Sequence, residues 1–130
     1  MTRSALILTA ALFPVLFGCG QRLPYEVVPF SGTVTYEGKP VANLSVFFEP
    51  ETGRPSTGAT DDNGRFTMTY TVKLDGVQKG KGKFYFEVPV MIGEDASPMA
   101  RIIREKYGPS STPLVFDIQK PENNFEIKLD

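Results

Sequence analysis

The 130 residues contain no histidine, no tryptophan and a single cysteine. Each absence closes a class of chemistry. Without an imidazole there is no base for Ser-His-Asp or Cys-His catalysis. An ordinary zinc site loses its ligand set, and haem or iron–sulfur ligation loses its usual donors. No disulfide can form within the chain, so the fold has to be held by its core. Net charge is scarce too: 14 Lys and Arg stand against 15 Asp and Glu, a formal charge of −1. So even a balance lacks the basic excess of a nucleic-acid binder. Carboxylates, lysines, tyrosines and serines remain for chemistry. There is no internal repeat, and the length suits one domain.

The cysteine stands at an informative place. Arg3 is followed by an apolar stretch, Ala5 to Phe17, and then by Gly18 and Cys19. This is the layout of a secretory signal: a positive start, a short apolar run and a small-residue cleavage site. The run is 13 residues long and contains Pro14, whereas a transmembrane helix needs about 20 apolar residues. With the thiol directly after the small residue, Leu16-Phe17-Gly18-Cys19 resembles a bacterial lipoprotein signal. Phe17 departs from the pattern, which usually has a small or modest aliphatic side chain there. The resemblance implies that residues 1–18 are removed and that Cys19 carries diacylglycerol. It also implies that the chain is lipid-anchored to a membrane of the bacterial cell envelope, facing the periplasm or the outside. Loss of the leader removes one charged residue, Arg3, and moves the net charge to −2. Residues 19–27, interrupted by Pro24, read as a tether. At roughly 3.3 Å per residue it reaches about 25 Å, so the domain, 28–130, is expected close to the bilayer.

From Val28 onward the apolar period is two. Val28, Phe30, Gly32, Val34 and Tyr36 share one parity, and Leu44, Val46 and Phe48 repeat the pattern. So do Phe66, Met68 and Tyr70; Phe84, Phe86, Val88 and Val90; Leu114, Phe116 and Ile118; and Phe125, Ile127 and Leu129. Such alternation marks half-buried strands. With a weaker strand at 57–60, about seven are expected. Turn signals separate them: Glu37-Gly38-Lys39-Pro40, Asp61-Asp62-Asn63-Gly64, with Asn63 and Gly64 expected at positive φ, and Lys120 to Asn124. The pattern predicts an all-β, antiparallel β-sandwich. One segment departs from it. Met99, Ile102, Ile103 and Tyr107 fall near helical spacing, Ser97-Pro98 reads as a helix start and Gly108-Pro109 as a stop. A short helix over 98–107, or else a loop, is expected there.

Three stretches carry a family resemblance. The first runs from Ser31 to Phe48 and contains Gly38-Lys39-Pro40-Val41 and Val46-Phe47-Phe48. The second runs from Ser56 to Phe66 and looks like a Thr-Asp-x-x-Gly-x-Phe hairpin. The third is Glu105-Lys106-Tyr107, followed by Thr112-Pro113-Leu114 and Asn123 to Ile127. In this order they resemble carboxypeptidase regulatory-like (transthyretin-like) domains, most closely those of small exported lipoproteins of planctomycete bacteria. Arg104 stands where that family tends to have Pro. The resemblance implies a transthyretin-like or Ig-like sandwich; it does not imply peptidase activity, for which the chain lacks the histidine zinc ligands.

Candidate functional residues are few. Phe47 and Tyr85 lie on the polar parity of their strands and would form an exposed aromatic pair if those strands are neighbours. Such a pair suits a sugar ring or a protein partner; packing against a loop is the alternative. Tyr107 is the third candidate for contact, although a packing role with its hydroxyl tied to backbone competes. Asp61, Asp62 and Asn63 gather oxygens on one turn, but calcium wants six to eight, so a turn is expected and no metal. Lys79, Lys81 and Lys83 form a basic stretch that anionic headgroups would attract, but Asp75 and Glu87 dilute it and a solvated loop entering a strand is the expected reading. Ser110-Ser111 near Lys106 matches no Ser-Lys motif. The expected function is non-enzymatic and without cofactor: a lipid-anchored domain that presents its surface to an envelope protein. A glycan-binding or adhesive module is the alternative, and a small hydrolase is a weaker one.

Overall fold

The computed structural model describes residues 24–89 and 97–130. The leader 1–18, Cys19 and Val90 lie outside the described residues. Twelve short strands and one helix follow in order: β1 Val27–Val28, β2 Phe30–Tyr36, β3 Lys39–Pro40, β4 Ser45–Pro50, β5 Ser56–Ala59, β6 Arg65–Thr67, β7 Thr69–Thr71, β8 Leu74–Asp75, β9 Val77–Gln78, β10 Gly80–Glu87, α1 Pro98–Tyr107, β11 Val115–Ile118 and β12 Glu122–Leu129. The larger sheet has the order β11-β10-β4-β5-β7-β8. In the smaller one β2 lies between β12 and the pair β3 and β6, which take successive lengths of its other edge. The all-β sandwich is thus the architecture, and the expected strands recur in it with two of them divided: the first into β1, which pairs with β9 in a separate two-stranded sheet, and β2, and the 66–70 run into β6 and β7.

Three details differ from the expected pattern. The 66–70 run is two strands, not one: β6 pairs with β2 in the small sheet and β7 with β5 in the large one. Met68 sits at the crossing, fully buried, its N–H bonded to the Phe30 carbonyl and its carbonyl to the Gly76 N–H. The pairing is not wholly antiparallel either, because β12 lies parallel to β2. Finally, the ordered fold begins before 28. Val27 pairs with Gln78 and the Glu26 carbonyl accepts from the Lys79 N–H at 2.8 Å; both residues fall within the expected tether.

Local chemistry explains the turns. Tyr36 pairs with Lys39 across a two-residue loop in which Glu37 (φ 49°) and Gly38 (φ 81°) both adopt left-handed conformations, the turn that matches strand twist. In the Asp61–Gly64 turn only Gly64 has positive φ, so the expectation for Asn63 does not hold. One Asp61 carboxylate oxygen accepts from the Asn63 and Arg65 N–H groups, each at 2.9 Å, and stabilises the turn without needing a left-handed Asn.

The core is aromatic. Phe30, Phe48, Phe84 and Phe86 are 1% exposed or less. Phe84 from the large sheet meets Phe30 and Phe125 from the small one, with centroids 5.6 and 6.2 Å apart, and Phe48 at 4.9 Å. Rings of this size bury much apolar area, which is how a chain without cross-links reaches stability. Helix α1 joins the two sheets at one side. Ser97 caps it by accepting from the Ala100 N–H at 3.2 Å. Ala100, Ile103 and Tyr107 turn inward, while Ile102, which the sequence reading grouped with them, faces out.

Candidate functional site

Strands β4 and β10 are adjacent, and their register places Phe47 directly opposite Tyr85. Inward neighbours Val46, Phe48, Phe84 and Phe86 are wholly buried, so alternation sends Phe47 and Tyr85 to the other face. There the rings stack almost parallel, 5° apart in plane, with centroids at 4.9 Å. Both residues are half-buried. Stacking covers one face of each ring with the other ring, so the pair presents edges and outer faces to solvent.

The surroundings are polar and charged. Lys83 Nζ lies 6.0 Å from the Tyr85 centroid, 3.6 Å from a Glu49 carboxylate oxygen and 2.9 Å from the Pro109 carbonyl, to which it donates. Burial first, and then the Glu49 and Glu87 carboxylates, push the Tyr85 hydroxyl above the ordinary tyrosine pKa of 10.0. The phenol therefore stays protonated at neutral pH and can both donate and accept. Val115, 55% exposed, pairs with Lys83 from β11 on the same face. A shallow groove of about 280 Å³ runs beside it between Glu49, Lys81 and Lys83. Glu49 and Val115 escaped the sequence reading because only the strand order brings them beside the aromatic pair.

Tyr107, the third candidate, is not on this face. It is 7% exposed and belongs to the core. Its hydroxyl lies 3.1 Å from the Asp130 carbonyl and carboxylate oxygens and 3.3 Å from the Asp130 N–H. It ties the end of α1 to the end of β12, so the contact role gives way to the packing role with a backbone tie. The reason is helical spacing, which turns position 107 to the same side as Ile103.

Other candidates resolve into local structure. Lys79 pairs with Glu26 at 3.3 Å, and Lys81 stands opposite Asp117, so acids interleave with the basic stretch. The Ser111 hydroxyl donates to the Glu105 carbonyl at 2.7 Å and accepts from the Gly108 N–H at 3.1 Å; it closes the helix end. The Lys106 amine lies 3.3 Å from the Asp130 carbonyl. Among the described residues that line a wide groove of about 400 Å³ between Glu87, Arg104 and Pro109, Glu87 is the one carboxylate. Glycoside hydrolysis by two carboxylates needs a pair. Among the described residues no cluster of three or more Asp, Glu or Cys has metal-binding geometry, and no helix is long and apolar enough to cross a membrane.

Fold and site together define a small all-β sandwich with a stacked aromatic pair on the open face of its larger sheet. Comparison with protein-family models, curated proteins and solved structures finds no match.

Proposed function

We propose that this chain is a non-enzymatic, lipid-anchored protein of the bacterial cell envelope, whose β-sandwich presents a surface to a protein partner. The observation that carries the anchor is the sequence Leu16-Phe17-Gly18-Cys19 after a positive, short apolar leader. The transthyretin-like assignment belongs to the same reading and rests on the quoted motifs. Interaction is centred on Phe47, Tyr85 and Val115, with Lys83 and Glu49 supplying polar contacts. An aromatic centre with a charged rim is the composition of a protein-binding patch. The test is the intact mass of protein extracted from host membranes, beside a Cys19→Ala variant. A chain beginning at Cys19 with added lipid mass, lost together with membrane retention in the variant, supports the reading. An unprocessed or lipid-free chain overturns it.

The alternative is glycan binding by the same face. Two neighbouring aromatic rings beside polar groups favour it. Against it, a sugar stacks on a free ring face, and mutual stacking at 4.9 Å occupies one face of each ring. Binding to arrayed glycans that is lost on replacing Phe47 and Tyr85 by Ala would establish the alternative; no binding to any glycan removes it.

A further inference from the structure

One end of the sandwich collects features that the aromatic face does not use. The chain enters the fold there. Lys79 Nζ is 3.3 Å from the Glu26 carboxylate, and Val27 pairs with Gln78. The buried Gln78 amide donates to the Thr52 carbonyl at 2.5 Å, in the connection between β4 and β5. Further along that connection, Arg54 lies over the Tyr70 ring, 5.8 Å from its centroid. Tyr70 leads into the β7–β8 hairpin, whose tip is Val72-Lys73. Point of entry, connection and hairpin tip are therefore neighbours.

The tip is unusual in two respects. Val72 is 102% exposed, more than any other large apolar residue described, and Arg54 and Lys73 beside it have no carboxylate in ion-pair range among the described residues. The far end of β2, reached after its seven residues, carries Glu37 and the Asp61-Asp62 turn, whose Gly64 carbonyl accepts from Val34. The entry end thus offers an exposed apolar side chain and two cations without an ion-pair partner among the described residues, beside Glu26, Glu51 and Asp75, while the far end sets Lys39 and Arg65 among Glu37, Asp61 and Asp62.

From this arrangement we infer that the entry end docks on an anionic lipid surface, with Val72 at headgroup depth and Arg54 and Lys73 against lipid phosphates. The inference rests on the lipid anchor proposed at Cys19. Glu26 is the seventh residue after Cys19, a reach of about 25 Å, so a lipid at Cys19 holds this end nearest the bilayer. Cations near an anionic surface are attracted to it, and a small apolar side chain between them adds burial.

The absence of tryptophan supplies a clean probe. Full-length Val72→Trp and Asp62→Trp proteins, purified with their native lipid, are placed in vesicles of phosphatidylethanolamine and phosphatidylglycerol with brominated acyl chains. The expected result is blue-shifted, bromine-quenched emission at position 72 and water-like, unquenched emission at position 62. Unquenched emission at both positions from a lipidated, vesicle-bound chain overturns the docking and leaves the anchor standing. Equal quenching at both overturns the orientation. A chain whose mass shows no lipid at Cys19, and which does not stay with vesicles, removes the anchor and the docking with it.

Discussion

Replacing Gly32 by Ala tests the least expected feature of the fold, the parallel pairing of β2 with β12. An ideal Cβ at Gly32 lies 1.9 Å from the Phe125 carbonyl oxygen and 2.8 Å from its carbon. Carbon and carbonyl oxygen approach to about 3.3 Å at closest, so β12 has to retreat by more than about 1 Å. Ladder hydrogen bonds span roughly 2.7–3.2 Å and do not survive such a shift. Losing two or three of them, at about 0.5–1.5 kcal/mol each, and unseating Phe125 and Ile127 from the core brings the expected loss to about 3 kcal/mol or more. For a domain this size, 1 kcal/mol moves Tm by roughly 4–8 °C, so a fall of at least about 12 °C is expected. The control is Gly38→Ala. Gly38 has φ 81°, but nothing lies within 4 Å of its Cβ, so only the left-handed conformation is penalised, by about 1–2 kcal/mol. Both variants are compared by thermal and guanidinium unfolding followed by circular dichroism. If Gly32→Ala loses no more stability than Gly38→Ala, the β2–β12 register is wrong.

Two further outcomes follow from named contacts. Tyr107→Phe removes the hydroxyl that ties α1 to Asp130 and is expected to destabilise by about 1 kcal/mol, read as a lower denaturant midpoint at unchanged slope; no change would mean the tie contributes nothing. Tyr85 titrates above 10.0 in the folded chain, so in the alkaline range the unfolded chain loses its proton first. The stability contributed is complete below the unfolded pKa and is lost as pH rises through the folded value. The alkaline fall in stability is therefore expected to be shallower in Tyr85→Phe than in the parent, and an identical fall in both refutes the shift.

Much of the fold is legible in the chain because local physics writes it there. Alternation assigns Val46, Phe48, Phe84 and Phe86 to one face whatever the partner strand is, since a strand has only two sides. Ser97 before Pro98 marks a helix start because the cap needs only a side-chain oxygen three residues before an unpaired N–H. The absence of imidazole excludes the same mechanisms in any fold. Strand parity likewise places Phe47 and Tyr85 outside the core.

What only the tertiary structure decides is partnership. Parity cannot say that β4 lies beside β10, and without that Phe47 and Tyr85 are two separate rings rather than a stack. The sequence from Phe66 to Tyr70 alternates without interruption, yet the chain changes sheets at Met68, because its hydrogen bonds go to Phe30 and Gly76 rather than to a sequence neighbour. Tyr107 shows the same division: spacing placed it near a helix, and only the packing of α1 against the end of β12 made it a core residue with a tied hydroxyl. Backbone donors and acceptors are alike along the chain. Which pair forms is settled by long-range packing of the side chains between the sheets, and no local pattern encodes that.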